Sequence, residues 1–119
     1  MEKFIVIKKA NGEFQFEFVN KNGEIILSSG DYTRKFMCMK GIESVKVNSQ
    51  DNTKFFRKTN SKDERYFNLK AFNGKIIGTS KIFKDRDSRD EGILEFRKYA
   101  PHAIVEDHSN TVLAESAAF

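Results

Sequence analysis

At 119 residues the chain is long enough for one domain, or for two small halves fused around one core, and too short for more. Hydrophobic residues make up 39% and charged residues 32%, an ordinary soluble composition in which twelve Phe and no Trp mark Phe as the main core residue. The net charge of +4 admits nucleic acid or an anionic surface as a partner, but Asp and Glu are interspersed throughout, so charge alone selects neither. Cys38 is the only cysteine, which excludes an intramolecular disulfide framework and suits a reducing compartment. The first residues lack the apolar stretch of a signal peptide, and no apolar run reaches the length of a membrane span. A cytoplasmic protein with no membrane partner is expected.

Residues 4–9 are apolar and β-branched and predict a strand. Asn11-Gly12 follows as a two-residue hairpin turn. Phe14, Phe16 and Phe18 alternate with Gln15 and Glu17, the period of a half-buried strand. Asn22-Gly23 is a second turn, and residues 24–29 form a third strand. Two-residue turns set a register in which Phe18 faces Leu27, Ile7 faces Phe16 and Ile5 faces Phe18. Phe4, Val6, Val19 and Ile26 then fall on the sheet face opposite Phe16 and Phe18. Residues 33–48 predict a helix capped by Thr33, with Cys38, Gly41, Ile42 and Val45 on its apolar stripe.

The same order then recurs. Strands are predicted at 54–58, 64–72 and 75–80, with a looser turn at 60–63 and Asn73-Gly74 between the last two. A helix follows at 86–99, capped by Asp85 and carrying Arg89, Gly92, Ile93 and Phe96 inward. Pro101 ends it, and residues 103–107 form a short closing strand. The recurrence is ungapped: Gly23 aligns with Gly74, an offset of 51 residues (74 − 23), and the same offset pairs Phe4 with Phe55, Phe16 with Phe67, Ser29 with Ser80 and Gly41 with Gly92. A helical Gly costs about 1 kcal/mol against Ala, so its repetition points to a close approach, read as helix backbone against sheet. By symmetry the closing strand should lie beside the strand that starts at Phe4. Residues 108–119 belong to neither copy and are expected to form a mobile tail.

No chemical motif stands out. His102, Glu106, Asp107 and His108 cluster near the end, and Glu106 and His108 would share a strand face, but a charged chain end explains them better than a metal site. Asp85, Asp87 and Asp90 mimic a calcium loop, yet the sixth and twelfth positions are Asp90 and Phe96 instead of Gly and Glu. Cys38 reads as a buried structural thiol. Arg89 reads either as a solvent-reaching side chain with a packed stem or as a buried partner of a carboxylate.

The run FNLKAFNGKIIGTS at residues 67–80, then SRDEGI at 88–93 and AIVED at 103–107, with NGEIILSS and KGIESV in the first copy, resembles the YegP-like family of small, mostly bacterial proteins, classed as a domain of unknown function. The resemblance covers about residues 3–107. It implies two β-β-β-α-β units sharing one sheet, with C-terminal strands exchanged between them, and it carries no activity or site residue with it.

The resulting expectation is an α+β domain over residues 1–107, made of repeats at about 1–51 and 52–107, with both helices on one face of a shared antiparallel sheet. No cofactor, no metal and no enzymatic site is expected. The candidate interaction face is the other side of the sheet: Phe4, Val6, Val19 and Ile26 from the first copy, with Phe55, Arg57, Tyr66, Lys70 and Ile77 from the second. Its apolar half suits a homodimer or a protein partner. Its aromatic and cationic half suits single-stranded nucleic acid as the alternative.

Overall fold

A computed structural model describes residues 1–110. Three strands, β1 (Lys3–Lys8), β2 (Phe14–Val19) and β3 (Ile25–Ser28), lead into helix α1 (Lys35–Asn48). The order repeats as β4 (Phe55–Thr59), β5 (Arg65–Lys70), β6 (Ile76–Ser80) and α2 (Arg86–Tyr99), followed by β7 (Ile104–Asp107). The seven strands form one sheet in the order β4-β5-β6-β3-β2-β1-β7. The expected α+β architecture is present, with one difference. The sheet is mixed, because β7 runs parallel to β1 while every other pair is antiparallel. The two copies meet at β3 and β6, where Ser28 pairs with Thr79. Those two residues are 51 apart (79 − 28), so an approximate twofold axis passes between them.

The residues expected in the core are there: Phe16, Phe18, Leu27, Ile42, Val45, Phe67, Leu69, Ile93 and Phe96 are all buried. Phe18 meets Phe96 edge-on at 4.8 Å, and Phe96 also reaches Phe55 and Phe67, so the second helix packs on both repeats. The repeated serines have a backbone role. Ser29 Oγ accepts from Phe16 N at 2.9 Å and donates to Gly30 O, and Ser80 Oγ does the same with Phe67 N and Lys81 O. Each hydroxyl supplies an acceptor to a buried strand N–H, which would otherwise cost on the order of 1–3 kcal/mol.

The hairpin turns depart from the expectation. Lys9 N donates to Glu13 O at 2.8 Å and Gly12 N to Lys9 O at 2.9 Å, so the loop is the three residues Ala10, Asn11 and Gly12, with Gly12 at φ +87°. This is the three-residue hairpin loop that ends in a left-handed residue. All four hairpins use it, with Gly23, Asp63 and Gly74 in the equivalent position. The turn at Asp63 is therefore no looser than the others. The extra loop residue shifts β1 by one place: Phe4 pairs with Phe18 and Val6 with Phe16, where a two-residue loop would have put Ile5 and Ile7. Between β2 and β3 a bulge absorbs the shift. Phe18 pairs with Leu27 as expected, but Val19 pairs with Ile25, leaving Ile26 as the extra residue. The bulge recurs at Ile77, between the pairs Leu69–Gly78 and Lys70–Ile76.

The helical glycines make room for rings, not for backbone. Tyr32 stacks on Phe16 and Phe83 on Phe67, each at about 6 Å between ring centres. A Cβ on Gly41 would lie 2.3 Å from the Tyr32 hydroxyl, and one on Gly92 would lie 2.6 Å from Phe83 Cζ. Thr33 does not cap α1, whose first flanking residue is Arg34 with no side-chain cap. Asp85 does cap α2, accepting from Ser88 N at 2.8 Å.

Gly92→Ala should therefore destabilise the protein by about 1–3 kcal/mol from overpacking, less about 1 kcal/mol gained in helix propensity. In a Phe83→Ala background the obstruction is gone, and the same substitution should become stabilising by up to about 1 kcal/mol. Denaturant titration of the four proteins checks the change of sign. A like-signed effect in both backgrounds would show that the ring is not what the glycine accommodates.

Candidate functional site

Strand alternation on the observed register divides the sheet. Towards the helices point Phe4 and Val6 from β1, Phe16 and Phe18 from β2, Leu27 from β3, Phe67 and Leu69 from β5, and Phe55 and Arg57 from β4. The other face carries Lys3, Ile5 and Ile7, then Gln15, Glu17 and Val19, then Asn68, Tyr66 and Lys70, with Phe56 and Lys58 from the edge.

Six of the nine residues assigned from sequence to the open face do not form it. Phe4 and Val6 are fully buried beneath the helices, because the three-residue turn reverses the facing of β1. Phe55 is buried in the same core, being paired with Leu69. Ile77, the bulge residue of β6, also joins that core, and Ile26 at its equivalent position packs against it. Arg57 pairs with Phe67 and turns to α2, where its Nε donates to Asp90 Oδ1 at 3.0 Å. Val19, Tyr66 and Lys70 stay on the open face, with Val19 already buried among its neighbours.

The residues that replace them are large and exposed. Ile25 is 43%, Phe56 39%, Ile76 55% and Ile104 49% exposed, and Ile5 and Ile7 are half-buried. Lys70 Nζ lies 4.1 Å from the centre of the Phe56 ring, a close cation–π contact. Ile25 and Ile76, equivalent by the 51-residue offset, flank a groove of about 420 Å³ over the junction of β3 and β6, with Ser28 and Thr79 in its floor. The bulges in β3 and β6 put this pair there. Without them, Ile25 and Ile76 alternate inward.

The other sequence candidates resolve into structural roles. Arg89 is buried and its Nε donates to Asp90 Oδ1 at 3.3 Å, so the carboxylate-paired alternative holds. Burial pushes Asp90 up, but the bonds from Arg57 and Arg89 outweigh it and hold the carboxyl below its usual range. The Cys38 thiol is buried and pushed up to about 11 by desolvation. Glu106 accepts from Lys3 Nζ at 3.0 Å and contacts His108 at 3.1 Å, while Asp107 accepts from Lys35 Nζ at 2.7 Å. His108 N donates to Val6 O at 2.8 Å and Ser109 is buried, so the chain is tied down through Ser109 instead of becoming a tail at residue 108. The rest of the expected tail, residues 111–119, lies outside the described residues. Among the described residues no helix is long and apolar enough to cross a membrane, and no group of three metal-ligating side chains is present.

The fold and its two copies match known proteins. The family model described as "Domain of unknown function (DUF1508)" matches twice, at residues 10–55 and 60–107. The chain belongs to the DUF1508 family. A UPF0339 protein from the ptx operon 5′ region of Stutzerimonas stutzeri is 39% identical, covering 90% of this chain and 96% of the relative. The UPF0339 protein YegP of Escherichia coli K12 is 38% identical over 89% of this chain and 96% of its own length. Two solution NMR structures superimpose on this DUF1508 chain. The UPF0339 protein SO3888 of Shewanella oneidensis has a TM-score of 0.86 at 36% identity, covering 91% and 92% of the two chains. The E. coli YegP structure has a TM-score of 0.85 at 37% identity, covering 91% and 93%. No specific function attaches to these DUF1508 relatives, so the site has to be argued from its own geometry.

Asp107 makes the attachment of β7 acid-sensitive. The hydrogen bond from Lys35, then that from Ser109, holds its carboxyl at about 2 in the folded chain. The unfolded value is about 3.9, so the folded pKa is depressed. Its stabilising contribution is complete above about pH 4 and is lost as pH falls from about 4 through about 2. Asp107→Asn should lower stability at neutral pH and flatten the acid limb of a stability-versus-pH curve over that window. An unaltered acid limb in the variant would contradict the Lys35–Asp107 linkage.

Proposed function

We propose that this chain is a non-enzymatic interaction module that buries its open sheet face against a second copy of itself. The observation that carries the reading is the exposed pair Ile25 and Ile76 beside the groove over β3 and β6, with Phe56 and Ile104 exposed on the two edge strands of the same face. Exposed large apolar side chains on one side of a sheet favour a partner, because each one fully buried is worth about 1.5–3 kcal/mol. A second copy fits because Ile25 and Ile76 repeat about the approximate twofold axis, so two copies present matching ridges to each other's groove. The bacterial cytoplasm suits the lone buried thiol and the bacterial relatives.

A second reading, single-stranded nucleic-acid binding, is favoured by Tyr66, Lys70 and Phe56 standing together on the second copy's half of that face. It is weakened by Arg57, which is turned to the other side and held by Asp90.

Sedimentation at low and high salt, with and without a mixed oligonucleotide, separates the two. Self-association that survives high salt and disappears in the Ile25→Lys/Ile76→Lys double variant supports the module. Both positions are exposed, so the variant should keep its melting temperature within about 4 °C. A strictly monomeric protein sinks the reading, and oligonucleotide binding that falls steeply with salt would install the alternative.

A further inference from the structure

The two repeats differ at their outer edges. On β1, the closing strand β7 adds in parallel, with Ile104 beside Lys3 and Asp107 beside Val6. Two cations hold its acidic end: Lys3 bonds Glu106 at 3.0 Å and Lys35 bonds Asp107 at 2.7 Å. β4 is the equivalent of β1, and among the described residues no strand lies beyond it. The chain that would close the first repeat runs directly into β4 itself, so nothing is left over to cover that edge. As a result Arg57, Lys58 and Thr59 are exposed, whereas Val6, at the position of Arg57, is fully buried.

The cations are nevertheless repeated. Lys54 stands 51 residues after Lys3, and Arg86 stands 51 after Lys35. Neither makes an ion pair among the described residues; Lys54 lies 5.7 Å from the centre of the exposed Phe72 ring instead. We infer that the outer edge of β4 is a strand-addition site for an extended acidic segment of another protein, of the pattern β-branched, β-branched, Glu, Asp, bound parallel to β4 with its Glu at Lys54 and its Asp at Arg86.

The physics is that already displayed at the other end of the sheet. The unpaired N–H and C=O groups of an edge strand supply affinity, and the flanking cations supply direction and register. A second copy pairing antiparallel about the middle of β4 would set Arg57 against Lys58, or one of them against itself, and like charges facing each other across strands are destabilising. A β7 strand from another copy is already engaged by its own β1 at intramolecular concentration. The occupant is therefore a separate polypeptide. This surface is distinct from the open face, and either can fail without the other.

The probe is an N-acetylated, C-amidated peptide copying residues 102–110 of this chain, HAIVEDHSN, titrated into the full-length protein. The expected result is amide-exchange protection and NMR shift changes along β4, with β1 unaffected. Lys54→Glu/Arg86→Glu should weaken binding about fivefold or more at low salt, as losing two exposed ion pairs implies, and so should the peptide HAIVQNHSN. Lys3→Glu should leave binding to β4 unchanged. An unaltered thermal melt of the double variant keeps its loss of binding from being a loss of fold. Absence of binding at millimolar peptide, protection of β1 in place of β4, affinity indifferent to both charge changes, or self-association through β4 would each overturn the proposal.

Discussion

Gly12 in the left-handed region settles which side of β1 meets the helices. A residue at φ +87° closes a three-residue loop, and a loop one residue longer than the Asn-Gly pair moves every side chain of the strand to the other face. Phe4 and Val6 go inward, Phe4 meets Phe18 at 5.1 Å, and the aromatic network passes from there through Phe96 to the second repeat. The compensating bulges at Ile26 and Ile77 belong to the same constraint. They absorb the extra loop residue, so that Leu27 and Gly78 still face the helices, while Ile25 and Ile76 are turned to the open side. The apolar character of the open face is thus a by-product of the turns. It is built from bulge neighbours and edge residues, not from the strands' regular inward positions.

Duplication explains what is shared and, equally, what is missing. Serine hydroxyls on strand amides, rings seated on helical glycines, and left-handed turn residues all occur twice. Departures from the repeat set the two copies apart. Asp63 takes the left-handed place of glycine, which Asp tolerates better than most residues because its short polar side chain bonds locally. Arg89 replaces Cys38 and brings Asp90 and Arg57 into a small ionic group at the start of α2. β7 covers one edge of the sheet and has no counterpart at the other, where the cations that would hold such a strand remain.

Much of the fold was legible from residues alone. Element order, both helices, the capping of α2, the ungapped repeat and the pairing of Phe18 with Leu27 all follow from periodicity and turn chemistry. The position of β7 beside β1 follows from the offset. The open face was not legible, for a definite reason: Asn-Gly serves two-residue and three-residue loops alike, and only the hydrogen bond from Lys9 to Glu13 distinguishes them. That one residue misplaces Phe4 and Val6 and, by the repeat, Phe55 and Arg57. The role of Gly41 and Gly92 was half legible. Their repetition signals close approach, but the rings that approach, Tyr32 and Phe83, lie in irregular segments and share only the same 51-residue spacing (83 − 32).

The register of β1 underlies the core, the open face and the comparison of the two sheet edges, and adjacent lysine substitutions test it most directly. Val6→Lys and Ile7→Lys are compared by urea unfolding. With Val6 fully buried and Ile7 on the open face, Val6→Lys should cost more than about 3 kcal/mol or prevent folding, and Ile7→Lys should cost less than about 1 kcal/mol. A protein that tolerates lysine at Val6 and unfolds with lysine at Ile7 would contradict the account.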